Sequence, residues 1–330
     1  MNKDHFLEVR GLKKYFDAGR PGLFTRSRDI RHVHAVDGVD FDLHHSEVIA
    51  LVGESGCGKS TLALLLMGLE DPTAGTVTFD GRDITHLNDR QRKDVRRKIQ
   101  MVFQDPYESL NPTQTIEEII SEPLHVHGIA KEKGERDQRV RKALEDSGLK
   151  PAEVYLGRYP HELSGGQRQR VVIAAALVLE PEIILADEPV SMLDVSIRAE
   201  IINLLAELRI TRQIAVIFIT HDLGSVGFFA DRVAVMYLGR IVEIGTMLEV
   251  LEKPGHPYTK ALLSVIPVPN PRLRRERTIL QGETPNPIDV PTGCRFHPRC
   301  PVAIEACKAS DPPFVPLSKT HQAACLLLIK

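Results

Sequence analysis

Near the start of the chain, Gly53-Glu-Ser-Gly-Cys-Gly-Lys59-Ser60 has the residue types and spacing needed to hold a phosphate. The pattern G-x-x-x-x-G-K-[ST] lets a glycine-rich turn aim consecutive backbone N–H groups at phosphate oxygens, and a following helix adds the positive end of its dipole. Gly53, Ser55, Gly56, Cys57, Gly58, Lys59, Ser60 and Thr61 are the expected phosphate-side residues. Lys59 is expected to reach the β and γ phosphates and Ser60 to bind Mg2+. Farther on, the apolar run Ile183-Ile-Leu-Ala ends in two adjacent carboxylates, Asp187 and Glu188. That order puts Asp187 near the metal and leaves Glu188 where it could polarise an attacking water. An apolar strand with an acidic end is ordinary by itself; the glycine loop upstream gives this one its meaning.

The elements around these groups must place them. Val48–Val52 is short, bounded and β-branched, as suits a buried parallel strand, and runs straight into Gly53; the apolar stretch Thr61–Leu69 reads as the helix that follows. Ile183–Ala186, Ile214–Ile219 and Val233–Met236 read as further core strands, with a helix over Val195–Leu208. Strands alternating with helices imply an α/β core with a parallel sheet. At the N-terminal end Leu7 and Val9 alternate with charge, and Val36, Val39, Phe41 and Leu43 follow a gap, so this part is strand-like; the gap, Asp17 to His34, reads as an exposed loop. Thr113–Ser147 and Leu163–Leu179 have helical spacing and form a helical insertion. The basic run Arg90–Lys98 reads as a solvated helix face. Beyond Pro254 the recurrent prolines resist long helices and suit an extended linker leading to a small cysteine-bearing module. No internal repeat is evident.

A chain of 330 residues exceeds the usual domain of roughly 100 to 200, so one large domain with an appendage is expected. With 42% hydrophobic and 26% charged residues the composition is that of a soluble globular protein. A formal net charge of -2 argues against binding nucleic acid by blanket phosphate neutralisation. Met1–Arg10 is studded with charge and lacks the apolar core of a signal peptide, which predicts a cytosolic chain. The apolar stretch Val171–Leu179 is far shorter than the roughly 20 residues of a spanning helix. Any membrane role is therefore expected to come through a partner. Cys57 stands alone, while Cys294, Cys300, Cys307 and Cys325 fall in the last 37 residues. In a reducing compartment such a group suggests metal or iron-sulfur ligation more than disulfides. Its gaps of five, six and seventeen residues do not match the C-x2-C of zinc ribbons or bacterial ferredoxins, and spacing alone leaves the metal open.

Leu163-Ser164-Gly165-Gly166-Gln167, lying between the glycine loop and the acidic strand, resembles the signature motif of ABC-transporter ATPases. Its polar glycine turn at a helix N-terminus could present Ser164 and backbone N–H groups to a phosphate. The resemblance implies that this phosphate belongs to ATP held by an opposite subunit, so that each ATP needs two chains. It also implies roles for Gln104, as the Q-loop glutamine on Mg2+ and the attacking water; for Asp194, at the dimer seam; and for His221, as the switch histidine on the γ-phosphate. Phe16 falls where the family stacks an aromatic on adenine, with Tyr15 the adjacent candidate; an aromatic beside a strand is more often packing.

The resemblance to ABC ATPases covers residues 6 to about 250 and implies a P-loop core with a parallel sheet, an antiparallel β part and a helical subdomain over about 105–180. The nucleotide-binding domain is thus expected over 1–250 and a C-terminal extension over 251–330. Within the extension, Gly255-His-Pro-Tyr-Thr259 and Gly293-Cys294-Arg-Phe-His-Pro-Arg-Cys300-Pro301 resemble the corresponding region of oligopeptide and dipeptide import ATPases. This narrower resemblance implies a 4Fe-4S cluster on Cys294, Cys300, Cys307 and Cys325, with zinc or uncoordinated buried thiols as the alternatives. It further implies a second related ATPase, two transmembrane permease subunits, indirect dependence on an external solute-binding protein, and a place on the cytoplasmic face of the plasma membrane. Importers of nickel, glutathione or murein peptides share this extension and remain alternatives. A soluble ABC protein of DNA repair or translation would be expected to carry two cassettes or a long coiled-coil insertion, which this sequence lacks.

Overall fold

A computed structural model describes residues 6–18, 31–266, 280 and 282–329. The chain forms two compact units, one from Met1–Leu43, Ile49–Thr85 and Thr220–Lys330, the other from His44–Val48 and His86–Ile219.

In the first unit an antiparallel sheet runs in the order Arg31–Leu43, Leu7–Ala18, Ala74–Phe79, Arg82–Asp83. Leu7, Val9 and Leu12 from one strand and Val36, Val39, Phe41 and Leu43 from its neighbour are buried, as their spacing predicts. The loop expected from Asp17 to His34 is shorter than that. Asp17 pairs with His32 and Ala18 with Arg31, because an antiparallel ribbon can continue with polar side chains on a solvated face. The remainder of that expected loop, 19–30, lies outside the described residues. The strand Val48–Val52 runs parallel to Arg232–Tyr237, which pairs antiparallel with Arg240–Thr246.

The C-terminal extension is not only a linker and a module. Gln322–Ala324 pairs with Arg240–Thr246, and Phe314–Pro316 pairs with Gln322–Ala324, so the extension supplies edge strands to a core sheet. Where an extended segment was expected after Pro254, Pro257–Ser264 is a helix with Pro257 at its first position, where the missing N–H has no intrahelical partner to lose. The His256 ring accepts the Tyr258 N–H as the cap, and Tyr258, Thr259, Ala261 and Leu263 are buried. Pro267, Pro269 and Pro271 lie outside the described residues.

In the second unit Ile99–Val102, Ile183–Asp187 and Ala215–Thr220 are parallel strands. Near-continuous apolar sequence is what a parallel strand covered on both faces requires, and Ile183–Asp187 is buried throughout. The helices Ile116–His127, Lys133–Asp146 and Gly165–Leu177 make up the helical part, and Val195–Arg212 is a further long helix. The basic run forms the helix Asp89–Lys98, in which Val95 is the buried residue, so the rest is a solvated face. Among the described residues no helix is long and apolar enough to cross a membrane.

Candidate nucleotide site

The glycine loop leaves the strand Val48–Val52 and enters the helix Lys59–Leu66, the strand–loop–helix context the motif needs. Two of its glycines are sterically obligatory. A Cβ on Gly53 would lie 2.2 Å from the Met236 carbonyl oxygen, and one on Gly58 would lie 2.0 Å from that of Ala35, at a φ of 105°. Cys57 N–H donates to the Glu54 carbonyl at 3.3 Å, and Gly239 N–H to the Cys57 carbonyl at 2.8 Å, fixing the turn. Lys59 is buried, and its Nζ donates to the carbonyls of Gly53 at 2.8 Å and Glu54 at 2.9 Å. Neutral backbone partners hold the ammonium at the loop without cancelling its charge. Ser55, Gly56 and Ser60 are exposed and Thr61 is half-buried. Cys57 is buried beside Lys59, and burial pushes its thiol up.

The aromatic candidates separate clearly. The Tyr15 hydroxyl donates to the Asp37 carboxylate, and its ring lies 4.3 Å from that of His34. Burial and the adjacent carboxylate push the Tyr15 hydroxyl up to about 12. Burial opposes ionisation of Asp37, but the Tyr15 hydroxyl and the Arg295 and Arg240 guanidiniums outweigh it and hold the carboxyl well below the usual carboxylate range. Tyr15 is therefore part of a charge cluster. Phe16, half-buried at the next position, has the Lys14 ammonium 4.7 Å from its ring centroid. His221 is exposed at the end of the strand Ala215–Thr220, where Asp222 caps the next short helix by accepting the Gly224 N–H at 2.9 Å.

The second unit carries the other candidates. Asp187 is buried at the end of its strand, and Glu188 follows with φ at 45°, a left-handed backbone uncommon for glutamate. That conformation is held by Glu188 N–H on the Ile219 carbonyl at 3.0 Å, and by Ser191, whose Oγ and N–H donate to the Glu188 carbonyl at 3.0 and 3.1 Å. Gln104 Nε2 donates to Glu188 Oε2 at 3.4 Å, so the structure brings these two candidates together. Ser164 caps the helix Gly165–Leu177: its Oγ accepts the Gln167 N–H at 3.3 Å, and Gln167 Oε1 accepts the Ser164 N–H at 3.0 Å. Gly166 is needed for packing, since a Cβ there would lie 2.6 Å from Ile197 Cγ2. Gly165 is half-buried, and Asp194 is the N-cap residue of the helix Val195–Arg212.

Cys294, Cys300 and Cys325 lie outside helices and strands and Cys307 in the short helix Ala306–Ala309, and the three others act electrostatically on Cys294; Cys294 N–H donates to the Cys307 carbonyl at 2.8 Å. Burial pushes the Cys294 thiol up to about 11, and the three other cysteines add to that rise. No group of three or more His, Cys, Asp or Glu side chains among the described residues is placed to hold a metal ion. The geometry of these side chains therefore supports neither the iron-sulfur nor the zinc reading.

Sequence reasoning missed what surrounds Glu54, the second residue of the glycine loop. Arg299 grips its carboxylate with both terminal nitrogens, at 2.7 and 3.1 Å; Thr284 Oγ1 donates to it at 2.6 Å; and Glu54 N–H donates to Tyr258 Oη at 2.9 Å. The only available signal was that Tyr258 and Arg299 sit inside the two C-terminal motifs.

Residues 36–191 match the ABC transporter family, and residues 242–307 match the C-terminal region of oligopeptide/dipeptide transporters. The chain is 49% identical to the oligopeptide transport ATP-binding protein AppF of Bacillus subtilis, over 99% of this chain and 98% of that protein. The chain belongs to the ABC transporter ATPase family. This ABC ATPase is also 47% identical to a putative peptide import ATP-binding protein of Brucella ovis, over 99% of each. Among solved structures it resembles the dimeric ATP-binding cassette MJ0796 bound to ADP and Pi, with a TM-score of 0.64 and 30% identity over 73% of this chain and 98% of that one. It resembles cbiO1 of Clostridium perfringens, part of the transporter complex cbiONQ, with a TM-score of 0.65 and 31% identity over 76% and 92%. The chain is an ATP-hydrolysing transporter subunit, for which ATP and Mg2+ are expected.

Proposed function

We propose that this ABC ATPase powers the import of dipeptides or oligopeptides through a partner permease. The observation that carries the choice of solute is the match of residues 242–307 to the oligopeptide/dipeptide transporter C-terminal region, together with the names of full-length relatives. Two ATPase chains each bind MgATP, close head-to-tail so that Ser164–Gln167 of one faces the glycine loop of the other, and reopen after hydrolysis. The partner chain is a second, related ATPase. ATP binds best to the closed arrangement, and that differential affinity shifts the two permeases between inward-facing and outward-facing states, with an external solute-binding protein delivering the cargo.

Within each site Gly53–Gly58 and Lys59 hold the phosphates, Ser60, Asp187 and Gln104 serve Mg2+, Phe16 stacks on adenine, and Glu188 takes a proton from the attacking water. His221 contacts the γ-phosphate and Asp194 lies at the seam. Gln104 accompanied by exposed Phe103 and Tyr107 supports permease docking on that surface, at the cytoplasmic face of the plasma membrane.

Cys294, Cys300, Cys307 and Cys325 would hold a 4Fe-4S cluster. This reading rests on the likeness of residues 242–307 to the oligopeptide/dipeptide transporter C-terminal region and on the three other thiols acting electrostatically on Cys294. When bound, such a group supplies a structural cross-link between the segments that carry the four cysteines. Anaerobic purification followed by iron and sulfide assay is expected to give about four of each per chain; iron-free protein refutes the cluster. The transport reading is tested by affinity capture from gently solubilised membranes and by peptide uptake in a deletion strain. Recovery of two permeases and a second ATPase, with uptake lost, is expected; recovery of soluble partners alone overturns it.

A further inference from the structure

We propose that Arg299, with Thr284 and Tyr258, is a positioning group for the phosphate-binding loop, so that the cysteine-bearing extension sets how tightly the chain binds ATP. The inference rests on the reading of Gly53–Ser60 as the nucleotide site. Glu54 is the one acidic residue between Gly53 and Ser60. An unpaired carboxylate there would oppose a triphosphate and compete with it for Lys59, whose Nζ already bonds the Glu54 carbonyl at 2.9 Å.

Arg299 removes that conflict. Its guanidinium takes both carboxylate oxygens of Glu54 in a two-pronged ion pair at 2.7 and 3.1 Å, with the Arg299 side chain only 9% exposed. Such fork-on-carboxylate pairing fixes orientation as well as charge. Thr284 Oγ1, 2.6 Å from the same carboxylate and 3.3 Å from Arg299, completes the grip. Tyr258 acts on the backbone: its fully buried ring packs against Tyr237 at 4.8 Å and Phe296 at 5.4 Å, and its oxygen accepts the Glu54 N–H. Side chain and amide of one loop residue are thus both held from the extension. Arg299 immediately precedes Cys300, so the order of the cysteine loops and the order of the nucleotide loop are joined through one side chain.

The test is equilibrium titration of MgATP into the full-length chain, with melting curves run without nucleotide. Wild type that does not bind MgATP would refute the nucleotide site itself. Given wild-type binding, Arg299→Ala is expected to weaken ATP affinity by about ten-fold, equivalent to about 1.4 kcal/mol. Adding Glu54→Gln to that variant is expected to restore affinity to within about three-fold of wild type, because the exposed negative charge is gone. Arg299→Lys, which keeps the charge and loses the fork, is expected to fall between. Unchanged affinity in Arg299→Ala, or weakened affinity that Glu54→Gln fails to restore, overturns the proposal. Should Arg299→Ala not give a cooperative melt, Arg299→Lys and Tyr258→Phe carry the same titration, and wild-type affinity in both overturns it equally.

Discussion

The phosphate-binding loop and the C-terminal extension hold their functional groups in opposite ways. The loop builds its site from contiguous backbone: glycines at positions that tolerate no Cβ, and a lysine folded back on carbonyls five and six residues away. The extension acts through single side chains that reach across 204 and 245 residues of sequence to Glu54. A site made of backbone is written in spacing, and a site made of long-range contacts is not. The two should also fail differently, abruptly where a reacting group is lost and by degrees where a positioning contact is lost.

The largest expected effect belongs to the water-activating carboxylate. Glu188→Gln keeps the volume and the left-handed backbone but cannot accept a proton, so ATP turnover by the assembled transporter should fall at least about 100-fold while MgATP binding persists. Phosphate-release kinetics beside a binding titration check this; near-normal turnover would mean that another group activates the water. Such an abrupt loss, set beside the graded series at Arg299, is what the contrast between the two regions requires.

That contrast explains how much was legible. Val48–Val52, the loop after it and Ile183–Asp187 could be read directly, because continuous apolar runs, glycine spacing and terminal carboxylates are local signals. The edge strands Phe314–Pro316 and Gln322–Ala324 were not legible, since three-residue strands carry too little periodicity and their pairing depends on Arg240–Thr246. Pro257–Ser264 was hidden by the prolines around it and by Pro257 itself, which in composition suggests extended chain but at a first helical position favours a helix. The pairing of Gln104 with Glu188 spans 84 residues, and only the family resemblance pointed to it.

A smaller effect separates the two neighbouring aromatics. Phe16→Ala should weaken ATP affinity by about ten-fold, the scale of losing one stacked base. Tyr15→Phe should leave ATP affinity within about two-fold and instead lower stability by about 1–2 kcal/mol, because it removes a hydroxyl donor from the buried Asp37 carboxylate. Titration and melting on both variants decide the matter. If Tyr15→Phe weakened binding and Phe16→Ala did not, the stacking role would pass to Tyr15.

The smallest expected effect is a pH dependence that belongs to this charge cluster and to neither the loop nor the cysteines. Asp37 has a carboxyl held well below its ordinary value, so its contribution to stability is complete above about pH 4 and is lost as pH falls from there. Tyr15 has a hydroxyl raised to about 12, so its contribution is complete below about pH 10 and is lost as pH climbs from 10 toward 12. Denaturation midpoints across pH, taken as the difference between wild type and each variant, should therefore show Asp37→Asn flattening part of the acid limb and Tyr15→Phe flattening part of the alkaline limb. Because Arg295 of the extension and Tyr15 of the N-terminal strand meet on the same carboxylate, an unchanged acid limb in Asp37→Asn would mean that this junction between extension and core carries no stability, unlike the edge-strand pairing and the Glu54 contacts, which it would leave untouched.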